Sequence, residues 1–234
     1  MQMLNTVENY TPDCIATMSG GIDSVVLAHI LKDEGRKPLY VYIDYGTQGR
    51  EGEIRAAVTS CKKLGVPLMC MDFSIYKELT KAYILGNTKE FEKGTQMWLE
   101  GRNGLIGFIL AIMASSMKLT QVFMGSNADD YDELYLDTDQ RFYDALNNLI
   151  HTSFRFKVTI SAPLLERNMI KGDVIKKGIE LGVDFVSETH SCSSSGETCC
   201  DYEHCESCKE RKAEFDALGL KDPFYAAKFL KEIV

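Results

Sequence analysis

The chain has 234 residues, 45% of them hydrophobic, which is enough for one main α/β domain with small appendages. Its formal net charge of -8 disfavours a surface that holds a nucleic-acid backbone, so we expect a small-molecule partner and no nucleic acid. The N-terminus has no basic segment followed by a long apolar run, and no apolar stretch has the length of a membrane span. We therefore expect a cytoplasmic protein without a membrane partner.

The apolar pattern predicts strands and helices that alternate along the chain. Strands are expected at 14–18, 39–43, 67–73, 121–125 and 156–162. Helices are expected from residue 25 up to Gly35 and at 53–64, 105–117, 142–150 and 171–181. Repeated βα units of this kind predict a Rossmann-like parallel sheet with helices on both faces, whose ligands lie at the C-terminal ends of the strands.

A glycine-rich turn joins the first predicted strand to the first helix, with the sequence Ser19-Gly20-Gly21-Ile22-Asp23-Ser24. Backbone amides and the positive end of the helix point to one place there, which predicts an anion site. Adjacent glycines allow close approach to oxygen atoms, and Asp23 could hold a Mg²⁺ ion that bridges phosphates. An ordinary βα turn is the alternative, because Ser-Gly-Gly is common in turns.

Cysteines cluster near the C-terminus, where Cys192, Cys199, Cys200, Cys205 and Cys208 offer one thiol more than a tetrahedral zinc site needs. The Cys205-x-x-Cys208 spacing lets two sulfurs bind one ion. Redox chemistry at Cys199-Cys200 is a weaker alternative, because adjacent cysteines pair poorly with each other. A site closed by four sulfurs has no position for water, so the predicted metal is structural.

The glycine loop resembles, residue for residue, the Ser-Gly-Gly-x-Asp-Ser loop of the PP-loop ATP pyrophosphatases, which adenylate a substrate oxygen and release pyrophosphate. Over nearly its whole length the chain is similar to one family of these enzymes, the 7-cyano-7-deazaguanine synthases of the queuosine pathway. The similarity is carried by Asp44-Tyr45-Gly46, Gly101-Arg102-Asn103, Ala162-Pro163-Leu164, Lys171-Gly172-Asp173, Ser191-Cys192, Cys205-x-x-Cys208-x-x-Arg211, Phe215, Gly219 and Asp222-Pro223.

This resemblance implies an adenine nucleotide alpha hydrolase-like fold, with a PP-loop domain at residues 1–186 and a zinc-binding segment at residues 187–234 packed on it. The implied ATP-binding residues are Ser19, Gly20, Gly21, Asp23, Ser24 and Asp44. The implied catalytic residues are Asp23, Arg102 and Lys171, because charge that develops on phosphorus needs fixed cations. Without the family, Arg102 and Lys171 would be ordinary surface charges at helix starts.

The substrate and metal residues follow from the same resemblance. Tyr135 and Asp137 are expected to bind a 7-deazaguanine ring, whose donor-rich face requires an acidic partner. Neighbouring aspartates of the same loop, Asp130 and Asp139, are the alternatives. Zinc is expected on Cys192, Cys200, Cys205 and Cys208, with Cys199 left open as the alternative to Cys200. The expected cofactors are ATP, Mg²⁺ and Zn²⁺, and relatives in this family often form homodimers.

The implied reaction converts 7-carboxy-7-deazaguanine and ammonia to the nitrile by two rounds of adenylation. Three departures leave alternatives open: Tyr202 stands where a cysteine is expected, the family segment Tyr-Pro-Asp-Cys-Arg reads Tyr135-Leu136-Asp137-Thr138-Asp139, and no histidine follows Asp44-Tyr45-Gly46. The enzyme could instead join the activated deazaguanine to another amine, such as a protein N-terminus, and stop at the amide. RNA thiolation and a nucleotide-sensing module without turnover are further alternatives.

Overall fold

A computed structural model describes residues 1–86, 99–130, 136–193 and 205–225. Its strands are β1 Gln2–Asn5, β2 Cys14–Thr17, β3 Pro38–Asp44, β4 Leu68–Asp72, β5 Gln121–Phe123 and β6 Thr159–Ser161. Its α-helices are α1 Ile22–Asp33, α2 Arg50–Leu64, α3 Tyr76–Leu79, α4 Arg102–Met117, α5 Gln140–Ser153, α6 Pro163–Glu166, α7 Lys171–Glu180 and α8 Glu206–Ala217. Short 3-10 turns lie at Tyr83–Leu85 and Leu136–Thr138.

The strands form one sheet in the order β1-β4-β3-β2-β5-β6. β2 to β6 run parallel, which confirms the sheet predicted from the βα alternation. One further strand, β1, was not predicted from the sequence, and it pairs antiparallel with β4 at the edge of the sheet. β1 is short and partly exposed, with the sequence Gln-Met-Leu-Asn, and such an edge strand gives almost no apolar signal.

Helices cover both faces of the sheet, as predicted. On one face α1, α2, α7 and α8 enclose a core of apolar side chains that includes Val26, Leu31 and Val174. On the other face α4 and α5 pack against Ile15 and Val41. Because both faces are covered, β3 is buried along its whole length, and its continuous apolar run reflects this.

The chain changes direction across the sheet between β2 and β5. From β2 it proceeds to β3 and then β4 on one side, and it later returns to β5 and β6 on the other side of β2. In an open parallel sheet, the crevice beside the C-terminal ends of two such strands is the usual ligand site. The turn that follows β2 and the turn that follows β5 therefore face each other at this switch point.

The predicted helices and strands are found with ends shifted by a few residues, but α8 and the short helices α3 and α6 were not predicted. α8 is polar overall and buries Cys208, Arg211 and Phe215, so its buried face carries only one conventional apolar residue. Part of the unassigned stretch 74–100 forms α3 and a 3-10 turn, and residues 87–98 lie outside the described ranges. Among the described helices, none has the length and apolar character needed to cross a bilayer.

Candidate functional site

The loop Ser19–Ser24 links β2 to α1 and is closed by its own hydroxyl groups. Ser24 Oγ lies 3.0 Å from Ser19 Oγ, accepts from the Ser19 amide at 3.2 Å and donates to the Gly21 carbonyl at 3.0 Å. No side chain in the described parts of the chain caps α1 at Gly21. The Gly21 amide itself donates to Ser19 Oγ at 3.2 Å, so the hydroxyl groups of the loop lie beside the first turn of α1, where an anion-binding turn needs donors.

Gly20 holds the loop against the first turn of α2. Its φ is +80°, in the left-handed region that favours glycine, and a Cβ at this position would lie 2.4 Å from the carbonyl oxygen of Glu53. The end of β5 also contacts the loop, since a Cβ on Gly125 would lie 3.4 Å from the Ser24 amide nitrogen. The loop is therefore held from both sides.

Asp23 forms an ion pair with Lys171, the first residue of α7. Two predicted catalytic residues that are 148 positions apart in sequence thus meet at the switch point. Burial opposes the charged ammonium of Lys171, but the carboxylates of Asp23 and Asp130 outweigh that cost and raise its pKa. Lys171 is therefore a permanent cation beside the glycine loop at neutral pH.

Asn127 and Asp130, in the turn after β5, complete this polar cluster. Asn127 is fully buried, and its side-chain amide donates to Asp23 at 3.3 Å and to Asp130 at 2.9 Å. Its backbone amide donates to the second oxygen of Asp130 at 2.9 Å. Burial and the nearby negative charge of Asp23 raise the pKa of Asp130 to about 6. Two facing carboxylates bridged by an amide offer oxygen ligands of the kind that Mg²⁺ binds.

Sequence reasoning did not select Asn127, and it placed Asp130 behind Asp137 as a site residue. The sequence offered one signal for both residues, which is their position directly after the predicted strand at 121–125, and the structure places that strand beside β2. That neighbour relation depends on sheet order, which local sequence does not reveal.

Asp44 ends β3 and is nearly buried. One carboxylate oxygen accepts from the Gly46 amide at 2.9 Å, and the other accepts from Arg50 Nε at 2.5 Å. This hydrogen bond with Asp44 raises the pKa of Arg50. Asp44 thus lies at the expected C-terminal edge beside β2, and its two partners fix its orientation there.

Arg102 and Asp137 lie together at the start of α4. Asp137 accepts from the Asn103 backbone amide at 3.0 Å, and the Asn103 side chain donates back to the Asp137 carbonyl at 3.0 Å. Within the described ranges, no hydrogen bond or ion pair joins Arg102 to Asp23 or Lys171. Burial raises the pKa of Asp130 and of Glu53, and the positive charge of Arg102 opposes that rise in both groups.

Two other residues of the predicted substrate loop are Tyr135 and Asp139. Tyr135 lies outside the described residues, so its substrate role stays a prediction. Asp139 has a local role, because its carboxylate accepts from the Phe142 amide at 2.9 Å and caps α5. It also pairs with Arg141 at 2.5 Å. The acidic character of this segment is therefore partly explained by helix capping.

Three of the four predicted metal ligands converge in the C-terminal segment. Cys192, Cys205 and Cys208 are buried, and their sulfur atoms all lie within 4.8 Å of one another. Ligands about 2.3 Å from a tetrahedral ion would be roughly 3.8 Å apart, so the cluster fits a metal after small adjustments. Ser193 also places its amide 3.4 Å and its hydroxyl 3.1 Å from Cys205 Sγ, as suits a thiolate. Cys199 and Cys200 lie outside the described residues, so the choice of Cys200 stays a prediction.

A buried ion pair anchors α8 next to the cysteines. Arg211 donates to both oxygens of Asp222, at 2.6 and 2.9 Å, and also to Thr189 and to the Phe185 carbonyl. Sequence reasoning used Arg211 and Asp222 only as family markers. Their structural role is to hold the helix that carries Cys208 against the residues that precede Cys192.

The sheet order and the Ser-Gly-Gly-x-Asp-Ser loop at its switch point define the class of this molecule as an α/β protein of the PP-loop type. The family model described as queuosine biosynthesis protein QueC matches residues 13–219, and the chain belongs to this family. A 7-cyano-7-deazaguanine synthase of Caldicellulosiruptor bescii is 29% identical over 216 residues, which cover 89% of this chain and 95% of the relative. One from Psychromonas ingrahamii is 30% identical over 217 residues, with 89% and 95% covered. The family resemblance drawn from the motifs is confirmed.

Solved structures of other proteins share the fold. NMN synthetase from Francisella tularensis aligns with a TM-score of 0.52 at 17% identity, covering 91% of this chain and 80% of that one. The U34-tRNA thiolase NcsA from Methanococcus maripaludis, solved with its [4Fe-4S] cluster, aligns with a TM-score of 0.51 at 19% identity, covering 97% and 74%. At these identities the likeness concerns the fold alone.

Proposed function

We propose that the protein converts 7-carboxy-7-deazaguanine and ammonia to 7-cyano-7-deazaguanine, with ATP as the activating substrate. The observation that carries the proposal is the Asp23–Lys171 ion pair beside the Ser19–Ser24 loop, in a chain of the QueC family. The loop supplies amides and hydroxyls for phosphate oxygens, and Lys171 supplies a fixed cation. Both lie where ligands of parallel α/β sheets bind.

The chemistry requires two activations. In the first, the substrate carboxylate attacks the α-phosphorus of ATP, pyrophosphate leaves, and ammonia then displaces AMP from the acyl-adenylate to give the amide. In the second, the amide oxygen attacks another ATP, and loss of AMP and protons leaves the nitrile. Each turnover therefore consumes two ATP and releases two AMP and two pyrophosphate. Arg102 and Lys171 stabilise the negative charge that develops on phosphorus.

Mg²⁺ fits the oxygen-rich cluster of Asp23, Asp130 and Asn127, and it would neutralise phosphate charge there. A cation bound there would favour the charged form of Asp130, whose pKa is raised by burial and by the charge of Asp23. Asp44 is expected to line the nucleotide pocket at the end of β3. A role of Asp137 in substrate binding would use the oxygen that does not accept from the Asn103 amide.

Zinc is proposed for the cysteine centre, with Cys192, Cys200, Cys205 and Cys208 as ligands. Three of these thiols are already close together, and a fourth sulfur would close the tetrahedron and exclude water. The metal would then stabilise the segment from Cys192 to α8 and take no part in the reaction. Metal analysis distinguishes zinc from an iron-sulfur cluster of the kind bound by the NcsA thiolase.

The test is incubation of the purified protein with 7-carboxy-7-deazaguanine, ATP, Mg²⁺ and ammonium. We expect AMP and pyrophosphate, and their loss in Asp23→Ala, while Asp13→Ala serves as the matched control because Asp13 contacts Arg36 at the opposite end of β2. Release of ADP without AMP would refute the proposal. Pyrophosphate release that persists undiminished in Asp23→Ala would refute the assigned site.

A second product is favoured by one observation. Asp139 stands where the family segment has an arginine, and it is occupied with capping α5. A site that lacks this arginine can handle the incoming amine differently, so the enzyme could transfer the activated deazaguanine to another amine, such as a protein N-terminus. Mass spectrometry separates the two outcomes, because one gives a free nitrile and the other an amide conjugate.

A further inference from the structure

The first turn of α2 lies between the cysteine centre and the glycine loop, and two glycines allow this close contact. A Cβ on Gly49 would lie 2.5 Å from the Cys192 carbonyl oxygen. A Cβ on Gly52 would lie 2.3 to 2.6 Å from three atoms of the His190 ring. Real Cβ atoms do not approach so closely, so only glycine at these positions lets residues 190–192 rest on α2.

His190 connects the two sites by two hydrogen bonds. Its backbone amide donates to the Gly20 carbonyl in the glycine loop at 2.8 Å. Its ring nitrogen Nε2 lies 2.9 Å from the carbonyl oxygen of Cys192, a metal ligand. Since a carbonyl only accepts, Nε2 carries the proton in this contact. His190 is buried, with 6% of the residue exposed, so both hydrogen bonds are shielded from water.

Gly20 is also the least adjustable part of the glycine loop. It has a φ of +80°, and its missing Cβ faces the Glu53 carbonyl one residue after Gly52. The Glu53 carboxylate in turn accepts from Tyr42 at 2.6 Å and from Thr47 at 3.1 Å. A displacement of Cys192 would therefore move His190, and His190 would in turn displace Gly20, whose backbone is packed against the Glu53 carbonyl.

We propose that His190 is a positioning residue through which metal binding at the cysteine centre raises the affinity of the glycine loop for ATP. The inference rests on the proposed ATP-binding function. A metal bound by Cys192 fixes its backbone, the Cys192 carbonyl fixes the His190 ring, and the His190 amide fixes Gly20. Coupling of this kind is reciprocal, so ATP also strengthens retention of the metal by the same factor.

The experiment measures ATP affinity by calorimetry for zinc-loaded and zinc-stripped protein, and zinc retention against a competing chelator with and without ATP. For the wild-type chain we expect about fivefold or greater coupling in both directions. The chelator arm starts from zinc-loaded protein, so it remains informative where the stripped protein unfolds. In His190→Phe, which keeps an aromatic ring and loses the donor, zinc stays bound and the coupling falls to below about twofold.

Two further variants test the same path. His190→Gln keeps an N–H group near the Nε2 position and should restore most of the coupling, whereas Gly52→Ala pushes the ring away and should abolish it. His151→Ala, at an exposed histidine beside β6, is the matched control and should keep the wild-type value. Wild-type coupling that persists in both His190→Phe and Gly52→Ala overturns the inference. ATP binding that ignores the metal overturns the inference alone, while no ATP binding by zinc-loaded wild type overturns the proposed function with it.

Discussion

The two adjacent glycines of the loop should respond differently to alanine, with a loss of stability at Gly20 and a loss of ATP affinity at Gly21. At Gly20 the φ of +80° costs a non-glycine residue about 1–2 kcal/mol, and the new Cβ would also meet a backbone oxygen at 2.4 Å. Since the carbonyl of Glu53 belongs to α2, it can yield only if the helix moves. We expect Gly20→Ala to lose about 2–4 kcal/mol of stability in total.

Gly21 has φ -74° and ψ 162°, which any residue adopts. Its new Cβ would meet only Ser19 Oγ, at 3.3 Å, and that hydroxyl can rotate. Gly21→Ala should therefore cost less than about 1 kcal/mol of stability. The added methyl group would still stand where phosphate oxygens must approach the backbone, so the loss should be in ATP binding.

Thermal unfolding and calorimetry with ATP distinguish the two variants. For a chain of this length, about 2–4 kcal/mol corresponds to a fall in Tm of roughly 4–16 °C for Gly20→Ala, against at most about 4 °C for Gly21→Ala. ATP affinity of Gly21→Ala should fall by about tenfold or more, as expected when an anion site loses close backbone contact. Full ATP affinity in a folded Gly21→Ala protein would mean that the loop is an ordinary turn.

Three further predictions concern the metal, the substrate and pH. Cys208→Ser should bind less than about half a zinc per chain in reduced protein, and unchanged zinc would contradict the ligand assignment. Asp137→Asn should weaken deazaguanine binding by on the order of a thousandfold, with ATP affinity as the internal control, and unchanged substrate affinity would exclude Asp137 from the pocket. Burial of Glu188 is outweighed by hydrogen bonds from His29, Lys63 and the Asp184 amide, which lower its pKa to about 2. The contribution of Glu188 to stability is therefore present above the unfolded pKa near 4.5 and is lost as pH falls toward 2. Glu188→Gln should cost about 1–2 kcal/mol at pH 7, measured by chemical denaturation, after allowance for the exposed Lys63. The cost should become progressively smaller below pH 4.5.

The elements that the sequence predicts well are those with a strong local pattern. β3 is apolar along its length because both of its faces are covered, and α4 buries a dense row of side chains that includes Ile106, Leu110 and Ala114. β1 and α8 lack such patterns. β1 contributes one edge of four residues, and α8 buries a cysteine and an arginine whose partners lie elsewhere in the chain. Those partners come into contact only after folding, so no local sequence pattern could predict the contacts.

The candidate site follows the same division. The glycine loop is contiguous, and its geometry as a βα turn was predictable from residues 19 to 24. Lys171 was identified through family similarity, and its ion pair with Asp23 spans 148 positions. Asn127 carries no charge and belongs to no contiguous motif, yet it joins Asp23 to Asp130. Its role is visible only once β5 is known to lie beside β2.

The arrangement of α2 explains why distant segments meet at one end of the sheet. Gly49 and Gly52 in its N-terminal turn let residues 190–192 approach the helix closely. The carbonyl of Glu53, in the same turn, lies where a side chain at Gly20 would have to fit. A Cβ at Gly20, Gly49 or Gly52 would lie 2.3 to 2.5 Å from an atom of the neighbouring segment, so at each position one of the two segments would have to move. The turn therefore contacts both segments, and under the coupling proposed above a loss of stability in the C-terminal segment would lower the affinity of the glycine loop for ATP.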